Sequence, residues 1–414
     1  MTNQKFKYQC TNCDKYYNES QVTYLCPECN KLNTPELPPK GVLKVVYNYD
    51  NLINKGITFK YLKQSNFIDL LPINSIESLP NLQVGDTPLY KINKVNNSNL
   101  EFNLYLKDDS QNPTYSFKDR ASAVVSAYAK EKGYDTIVAA STGNAGSSLA
   151  GICAAQGQKA IILVPKLAPI AKLTQILMYG ATIIPVDGTY DDAFDLSIKA
   201  TEEFGWYNRN TAFNPFTIEG KKTVSFEIYE QMNFNVPDRI FVPVGDGVII
   251  SGVYKGFEDL LNLKIINHMP IIVAVQAEKS NNLVRNIGND EFVIEESTTI
   301  ADSISVDIPR NYYMAQKYIS DYNGEHISVS DEAILEASSV LSKNTGLFAE
   351  PAAAAAFAGM IAYNNSNKIP VNSNNIVLLT GSGLKDLQTV SGIIKMPEAI
   401  KPNISELKIL INNK

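Results

Sequence analysis

The segment Asn112-Pro113-Thr114-Tyr115-Ser116-Phe117-Lys118-Asp119-Arg120 runs from a turn into the amphipathic stretch Ala121 to Lys132, whose apolar spacing is helical. A lysine at a helix start is electrostatically awkward, because the positive end of the helix dipole disfavours the ammonium form. That penalty lowers the amine's pKa and suits a Schiff-base lysine. Taken alone, Lys118 reads better as a surface lysine.

Three further loops shift the balance. Ser141-Thr142-Gly143-Asn144-Ala145-Gly146 follows a strand and opens a helix, so backbone N–H groups and small hydroxyls converge where an anion can sit. An ordinary capped turn is the plainer alternative. Val244-Gly245-Asp246-Gly247-Val248-Ile249 also follows a strand, and such a turn can cradle a phosphate with backbone amides alone. It is neither a Walker loop, since no Gly-Lys-Ser/Thr follows, nor a dinucleotide site, since the GxGxxG spacing is absent. Leu379-Thr380-Gly381-Ser382-Gly383-Leu384-Lys385-Asp386 closes another apolar strand.

The cysteines suggest a separate chemistry. Cys10, Cys13, Cys26 and Cys29 form two Cys-x-x-Cys pairs at the spacing that presents four thiolates to a tetrahedral zinc ion. Four protein ligands leave no open coordination position, so this zinc is expected to be structural. Residues 1–34 then form a zinc ribbon, read as a folding staple or, alternatively, as a docking module; the ribbon carries few basic residues. Cys153 lies in the apolar helical stretch Leu149 to Ala155 and reads as a small buried hydrophobe.

These loops need elements to hold them. Pro35 to Pro39 reads as a linker and Val42 to Tyr49 as a first strand of the main body. Thr136 to Ala140, Ala160 to Val164, Thr182 to Val186 and Trp206 to Asn210 are strand-like segments separated by helical stretches, a run of βαβ units. A second set of strands follows at Arg239 to Val244, Ile271 to Gln276 and Asn375 to Thr380. Helices are predicted around Val253 to Leu263, Asp331 to Lys343 and Pro351 to Tyr363. The fold class is α/β. Parallel sheets gather ligands at the carboxyl ends of their strands, and the glycines and polar residues fall there.

Bulk properties exclude other classes. The chain has 414 residues, 44% hydrophobic, enough for a large core and two or three domains. Its 37 basic and 43 acidic residues give a net charge of -6 with no long run of one sign, so nucleic acid is not an expected partner. Met1 to Gln9 is polar, and no apolar run approaches the ~20 residues of a membrane helix, so a cytoplasmic location without membrane contact is expected. Only His268 and His326 are present, and neither has a catalytic neighbourhood.

The order Ser-Phe-Lys-Asp-Arg, Ser-Thr-Gly-Asn-Ala, Gly-Asp-Gly, Glu-Pro-Ala and Thr-Gly-Ser-Gly-Leu-Lys-Asp resembles the threonine synthase family over about residues 80 to 395. That family has the tryptophan synthase beta-like fold of pyridoxal-phosphate (PLP) enzymes, fold type II, and some relatives carry an N-terminal zinc ribbon. The resemblance implies two three-layer α/β domains, with 42–120 and 216–400 forming the large PLP-binding domain and 121–215 the small one. It implies a homodimer.

By the same resemblance, Lys118 carries PLP and Asn144 hydrogen-bonds the ring's phenolic oxygen. Gly245, Asp246, Gly247, Val248 and Ile249 hold the cofactor phosphate, and Thr380 faces the pyridine nitrogen. Ser141, Thr142 and Gly143 grip the substrate carboxylate, and Glu350 lies near the ring. Lys118, freed by the substrate amine, becomes the base for the Cα proton.

The implied reaction is O-phosphohomoserine plus water giving threonine and phosphate. Three departures from the family stand out: Tyr115 where glycine is usual, Ser382 where histidine is usual, and Thr211-Ala212 and Thr217 in place of an Asn-Ser pair and an arginine that bind the substrate phosphate. Each lost charge-assisted hydrogen bond is worth about 1.5–3 kcal/mol. Lys221, Lys222 and Arg310 are candidates to restore the charge, and Tyr115, Thr217 and Arg310 are read as substrate-binding. For Arg310, a solvated loop position is the alternative. The departures keep open a second PLP chemistry, β-replacement or elimination on O-phosphoserine or a related amino acid, as in a cysteate synthase using sulfite or a dehydratase. A binding or regulatory protein on the same fold is the third reading.

Overall fold

Thr136–Ala140 and Arg239–Pro243 are buried along their whole length, so each needs cover on both faces and takes a central place in a parallel sheet. The computed structural model describes residues 4–289, 291–392, 394, 396 and 398–412. The smaller sheet orders its strands Thr182–Val186, Lys159–Pro165, Thr136–Ala140 and Tyr207–Asn208, all parallel. The larger one runs Glu325–Val329, Ile271–Ala277, Arg239–Pro243, Asn374–Leu379, Ser98–Asp108 and Leu89–Val95. It is parallel except for the last strand, which pairs antiparallel with Ser98–Asp108.

Both sheets reverse their strand order beside a central strand. Thr136–Ala140 lies between Lys159–Pro165 and Tyr207–Asn208, and Arg239–Pro243 lies between Ile271–Ala277 and Asn374–Leu379. At such switch points neighbouring loops diverge and leave a crevice outside the carboxyl ends. The Ser141 and Gly245 loops leave there, and Thr380 and the Lys118 segment leave the carboxyl ends of Asn374–Leu379 and Ser98–Asp108. Topology alone thus brings the four loops to the two crevices.

The helix Pro351–Asn365 shows how the layers close. Proline starts it, Ala352 to Ala356 and Ala358 are buried on every side, and the backbone at Gly359 lies so near Val275 that a Cβ would come within 2.6 Å of that side chain. Small residues let this helix sit tightly under the large sheet.

The N-terminal unit holds a correction. Leu43–Tyr47 does not begin the main body; it pairs antiparallel with Phe6–Cys10, which also pairs with Tyr16–Tyr17. Its burial alternates, with Leu43, Val45 and Tyr47 inside, as a sheet with one covered face requires. The ribbon is seated on the helix Phe216–Lys221 and the segment before it: Tyr8 packs on Phe216, Tyr24 stacks on Phe213 at 4.5 Å, and the Tyr47 hydroxyl donates to Glu219 at 2.6 Å.

Candidate active site

Lys118 is the first residue of the helix Lys118–Glu131, three positions earlier than its apolar spacing suggests. The approach segment is fixed at several points. Phe117 N donates to the Thr380 carbonyl at 2.8 Å, and Ser382 N donates to the Tyr115 carbonyl at 3.1 Å. The Asp119 carboxylate accepts from Thr114 N at 2.7 Å and Thr114 Oγ1 at 2.5 Å. Arg120, fully buried, donates to Asp109 and Glu227 and ties the first helical turn to the large domain. Tyr115 has φ of 67°, a left-handed backbone that explains why glycine suits this position.

Burial lowers the Lys118 amine below the usual lysine range, and the nearby Arg209 lowers it further; Asp246 and Glu350 pull the other way. An amine so placed favours its neutral, nucleophilic form. The same charges place Arg209, Asp246 and Glu350 within electrostatic reach of one amine.

Ser141 leaves the strand end through a main-chain bond to Leu163, and its hydroxyl accepts from Gly143 N at 3.3 Å. The helix Asn144–Gln156 then begins, leaving its first N–H groups directed at the crevice. Asn144 Nδ2 donates to both Glu350 carboxylate oxygens, at 3.0 and 2.9 Å, and Ser303 Oγ lies at 3.3 Å. Burial holds the Glu350 carboxyl above the usual carboxylate range, against the pull of Asn144, Lys385 and Lys118. Thr142, Gly143, Asn144, Ser147, Glu350 and Lys385 line a cavity of about 290 Å³.

The Gly245–Ile249 turn opens the helix Val248–Asn262. Gly247, at φ 84°, caps it, and a Cβ there would meet Leu283 and Ala315 below 3 Å. The Gly247 carbonyl accepts from Ser251 Oγ at 2.8 Å, and Asn311 N donates to the Asp246 carbonyl at 2.9 Å. The turn is thereby held with the helix N-terminal N–H groups free to meet a phosphate. A glycine-lined cradle, a helix N-terminus and a buried, low-pKa lysine match the needs of PLP: phosphate, ring and aldehyde.

Other expected residues fall elsewhere. Thr217 is fully buried, and its hydroxyl donates to the Asn214 carbonyl at 2.8 Å. The Arg310 guanidinium pairs with Asp191 and lies over the Phe194 ring, against the ribbon side of the small sheet, although its backbone N donates to Asp246 Oδ1 at 3.1 Å. Lys222 is taken by Glu219 and Asp259. Arg209 was not signalled by any motif; an arginine ending a short apolar strand without an acidic neighbour in sequence was the available clue.

The four ribbon thiols have ligand atoms within 4.8 Å of one another, and Cys10–Cys29 and Cys13–Cys26 sulfurs lie 3.7 and 3.8 Å apart. A tetrahedral ion with bonds of about 2.3 Å sets sulfurs about 3.8 Å apart. Cys153 is buried in its helix with a thiol pushed up to about 12 by burial, consistent with an inert packing role.

Residues 81–381 match the family model of pyridoxal-phosphate dependent enzymes. The chain is similar to a threonine synthase of Methanocaldococcus jannaschii, 33% identical over 97% of this chain and 98% of that protein. A Bacillus sp. (strain ULM1) threonine synthase is 39% identical over 78% of this chain and 90% of its own length. The fold matches the processed form of threonine deaminase isoform 2 from Solanum lycopersicum, with a TM-score of 0.65 at 22% identity, covering 81% of this chain and 94% of that one. Among the described residues no helix is long and apolar enough to cross a membrane.

Proposed function

Since the chain belongs to the threonine synthase family of pyridoxal-phosphate-dependent enzymes, we propose that it converts O-phosphohomoserine and water into threonine and phosphate. The carrying observation is Lys118: a half-buried lysine at a helix start, its amine lowered in pKa by desolvation, within charge reach of Asp246 in the glycine turn and of Glu350.

PLP, when bound, supplies the electron sink for bond breaking at Cα. The Gly245–Ile249 turn would hold its phosphate, Asn144 and Thr380 would flank its ring, and Lys118 would carry it. Ser141, Thr142 and Gly143, with the N–H groups opening the helix Asn144–Gln156, would receive the substrate carboxylate. Lys118, whose charged form is penalised by desolvation, would take the Cα proton. Glu350, holding Asn144 from behind, would set the angle of that amide. In the ribbon, Cys10, Cys13, Cys26 and Cys29 would bind zinc as a closed structural site.

A second reading, β-replacement or elimination on O-phosphoserine, is favoured by one observation: the Thr217 hydroxyl is spent on Asn214 and cannot substitute for an arginine against phosphate. Purified, cofactor-loaded protein given O-phosphohomoserine, with O-phosphoserine in parallel, separates the two. Threonine and phosphate from the first substrate support the proposal; product only from phosphoserine replaces it with the second reading.

A further inference from the structure

Among the described residues, and leaving aside Lys118 itself, the buried cations are matched with carboxylates, with two exceptions. Lys107, Arg120, Lys222, Arg239 and Lys255 are buried and each forms a salt bridge. Arg209 and Lys221 are buried completely and appear in none among the described residues. Lys221 Nζ has no hydrogen-bond partner at all, and neither has Arg209 Nη2. The remaining Arg209 nitrogens reach only hydroxyls, Ser122 Oγ at 3.1 Å and Thr211 Oγ1 at 3.3 Å. Buried charge left without a counter-charge is costly, and such groups persist where a ligand supplies the missing partner.

Their placement names the ligand's position. Arg209 follows the edge strand Tyr207–Asn208, beside the Ser141 loop, and its Ser122 contact is one helical turn beyond Lys118. Lys221 ends the helix Phe216–Lys221, and its Cβ packs against Gly252, in the helix that opens from the Gly245–Ile249 turn; a Cβ on Gly252 would come within 2.7 Å of it. Each lies close enough for its charge to act on Lys118. Two cations therefore lie within charge reach of the reacting amine, Arg209 from the end of a small-sheet strand and Lys221 from a helix packed on the one that opens at the Gly245–Ile249 turn.

We propose that Arg209 and Lys221 form the subsite for a second anion on the substrate, the oxygen-rich leaving group at the far end of its side chain. The proposal rests on the reading of the chain as a PLP enzyme for a phosphorylated amino acid. It explains how a chain with threonine at position 217 keeps phosphate specificity: the charge comes instead from the end of a neighbouring strand and from one turn further along the same helix. Lys222 and Arg310, the other candidates, are already committed to Glu219, Asp259 and Asp191.

The test uses the cofactor-loaded enzyme and inorganic phosphate as probe, in Lys221→Met, Lys221→Arg and Arg209→Gln variants. Phosphate affinity by calorimetry falls on the order of ten- to a hundred-fold in Lys221→Met and Arg209→Gln and is largely kept in Lys221→Arg. KM for O-phosphohomoserine rises by a similar factor, more than kcat falls. PLP affinity, titrated by absorbance, stays at the parent value. Lys221→Met also melts at a higher temperature than the parent in phosphate-free buffer, because a buried charge without a partner has been removed, and it loses the rise in melting temperature that phosphate gives the parent. Unchanged phosphate affinity in both neutral variants overturns the proposal. A loss of PLP affinity that matches the loss of phosphate binding overturns it too, assigning the pair to the cofactor's phosphate. If phosphate binding is lost as expected while O-phosphohomoserine gives no threonine, the subsite stands and only the substrate reading falls.

Discussion

The amide nitrogen of Asn144 sits between the two carboxylate oxygens of Glu350, at 3.0 and 2.9 Å, joining the first turn of a small-domain helix to the residue that caps Pro351–Asn365. The pair spans the cleft and is buried at both ends. Glu350→Ala leaves the buried Asn144 amide with only the Ser303 hydroxyl, at 3.3 Å, and costs about 1–3 kcal/mol in the cofactor-free protein, measured by urea unfolding. An unchanged midpoint would show that the pair contributes nothing across the cleft.

Lys118→Ala removes a buried amine whose charged form is already disfavoured, so the fold is retained while turnover drops by more than about 10⁴-fold. Circular dichroism and product formation check the two halves separately. Residual turnover near the parent rate would move the cofactor linkage to another amine.

Acid should loosen the anchor of the Lys118 helix. Burial opposes ionisation of Glu227, yet Arg120 and Lys107 hold its carboxyl down to about 2. A depressed folded-state pKa gives stability that is complete above the unfolded value of about 4.3 and is lost as pH falls toward the folded one. Unfolding free energy from about pH 6 to about pH 3 therefore falls less steeply in Glu227→Gln than in the parent, which equal slopes would contradict.

Tyr115 occupies left-handed backbone, φ 67°. Glycine accepts that conformation freely, whereas a β-branched residue does not. Tyr115→Val should be less stable than Tyr115→Gly by about 1–2 kcal/mol in thermal unfolding. Equal stability would mean that the loop relaxes out of this conformation at no cost.

Chelation of the ribbon metal, or Cys13→Ser, should release residues 1–34 to proteolysis while PLP binding persists, because the cofactor loops all belong to the two larger sheets. Limited proteolysis followed by mass spectrometry reads the first effect and cofactor absorbance the second. Loss of both together would make the ribbon part of the cofactor site.

Much of this architecture was legible in residue order. Thr136–Ala140 and Thr182–Val186 stand where their apolar runs place them, and Lys118, Asn144 and the Gly245–Ile249 turn each stand at the start of a helix, as their sequence setting implies. The hairpin Leu89–Val95 and Ser98–Asp108 was not legible, since Lys91, Asn93, Lys94 and Asn99 interrupt the apolar pattern on an exposed edge. Glu325–Val329, another edge strand, is masked by the same polar mixing. Leu43–Tyr47 reads as a strand either way; only its partner, fixed by long-range packing on Phe216, decides that it completes the ribbon. Arg209 was hidden for a related reason, and Lys221 stood undistinguished among three candidates with Lys222 and Arg310: what distinguishes a buried cation is the absence of a neighbour, which spacing does not record.

The register of the large sheet also dictates an order of events. Ser98–Asp108 pairs with Asn374–Leu379, and at its start Asn103 Nδ2 donates to the Asn372 carbonyl, 269 positions away along the chain. The small sheet, by contrast, draws all its strands from residues 136 to 208. Loop closure over so long a span is slow, and during synthesis it must await nearly the whole polypeptide. A nascent chain can therefore complete its small sheet early and hold the Ser141 loop in finished form, while Lys118 acquires its neighbour Thr380 only near the end of translation.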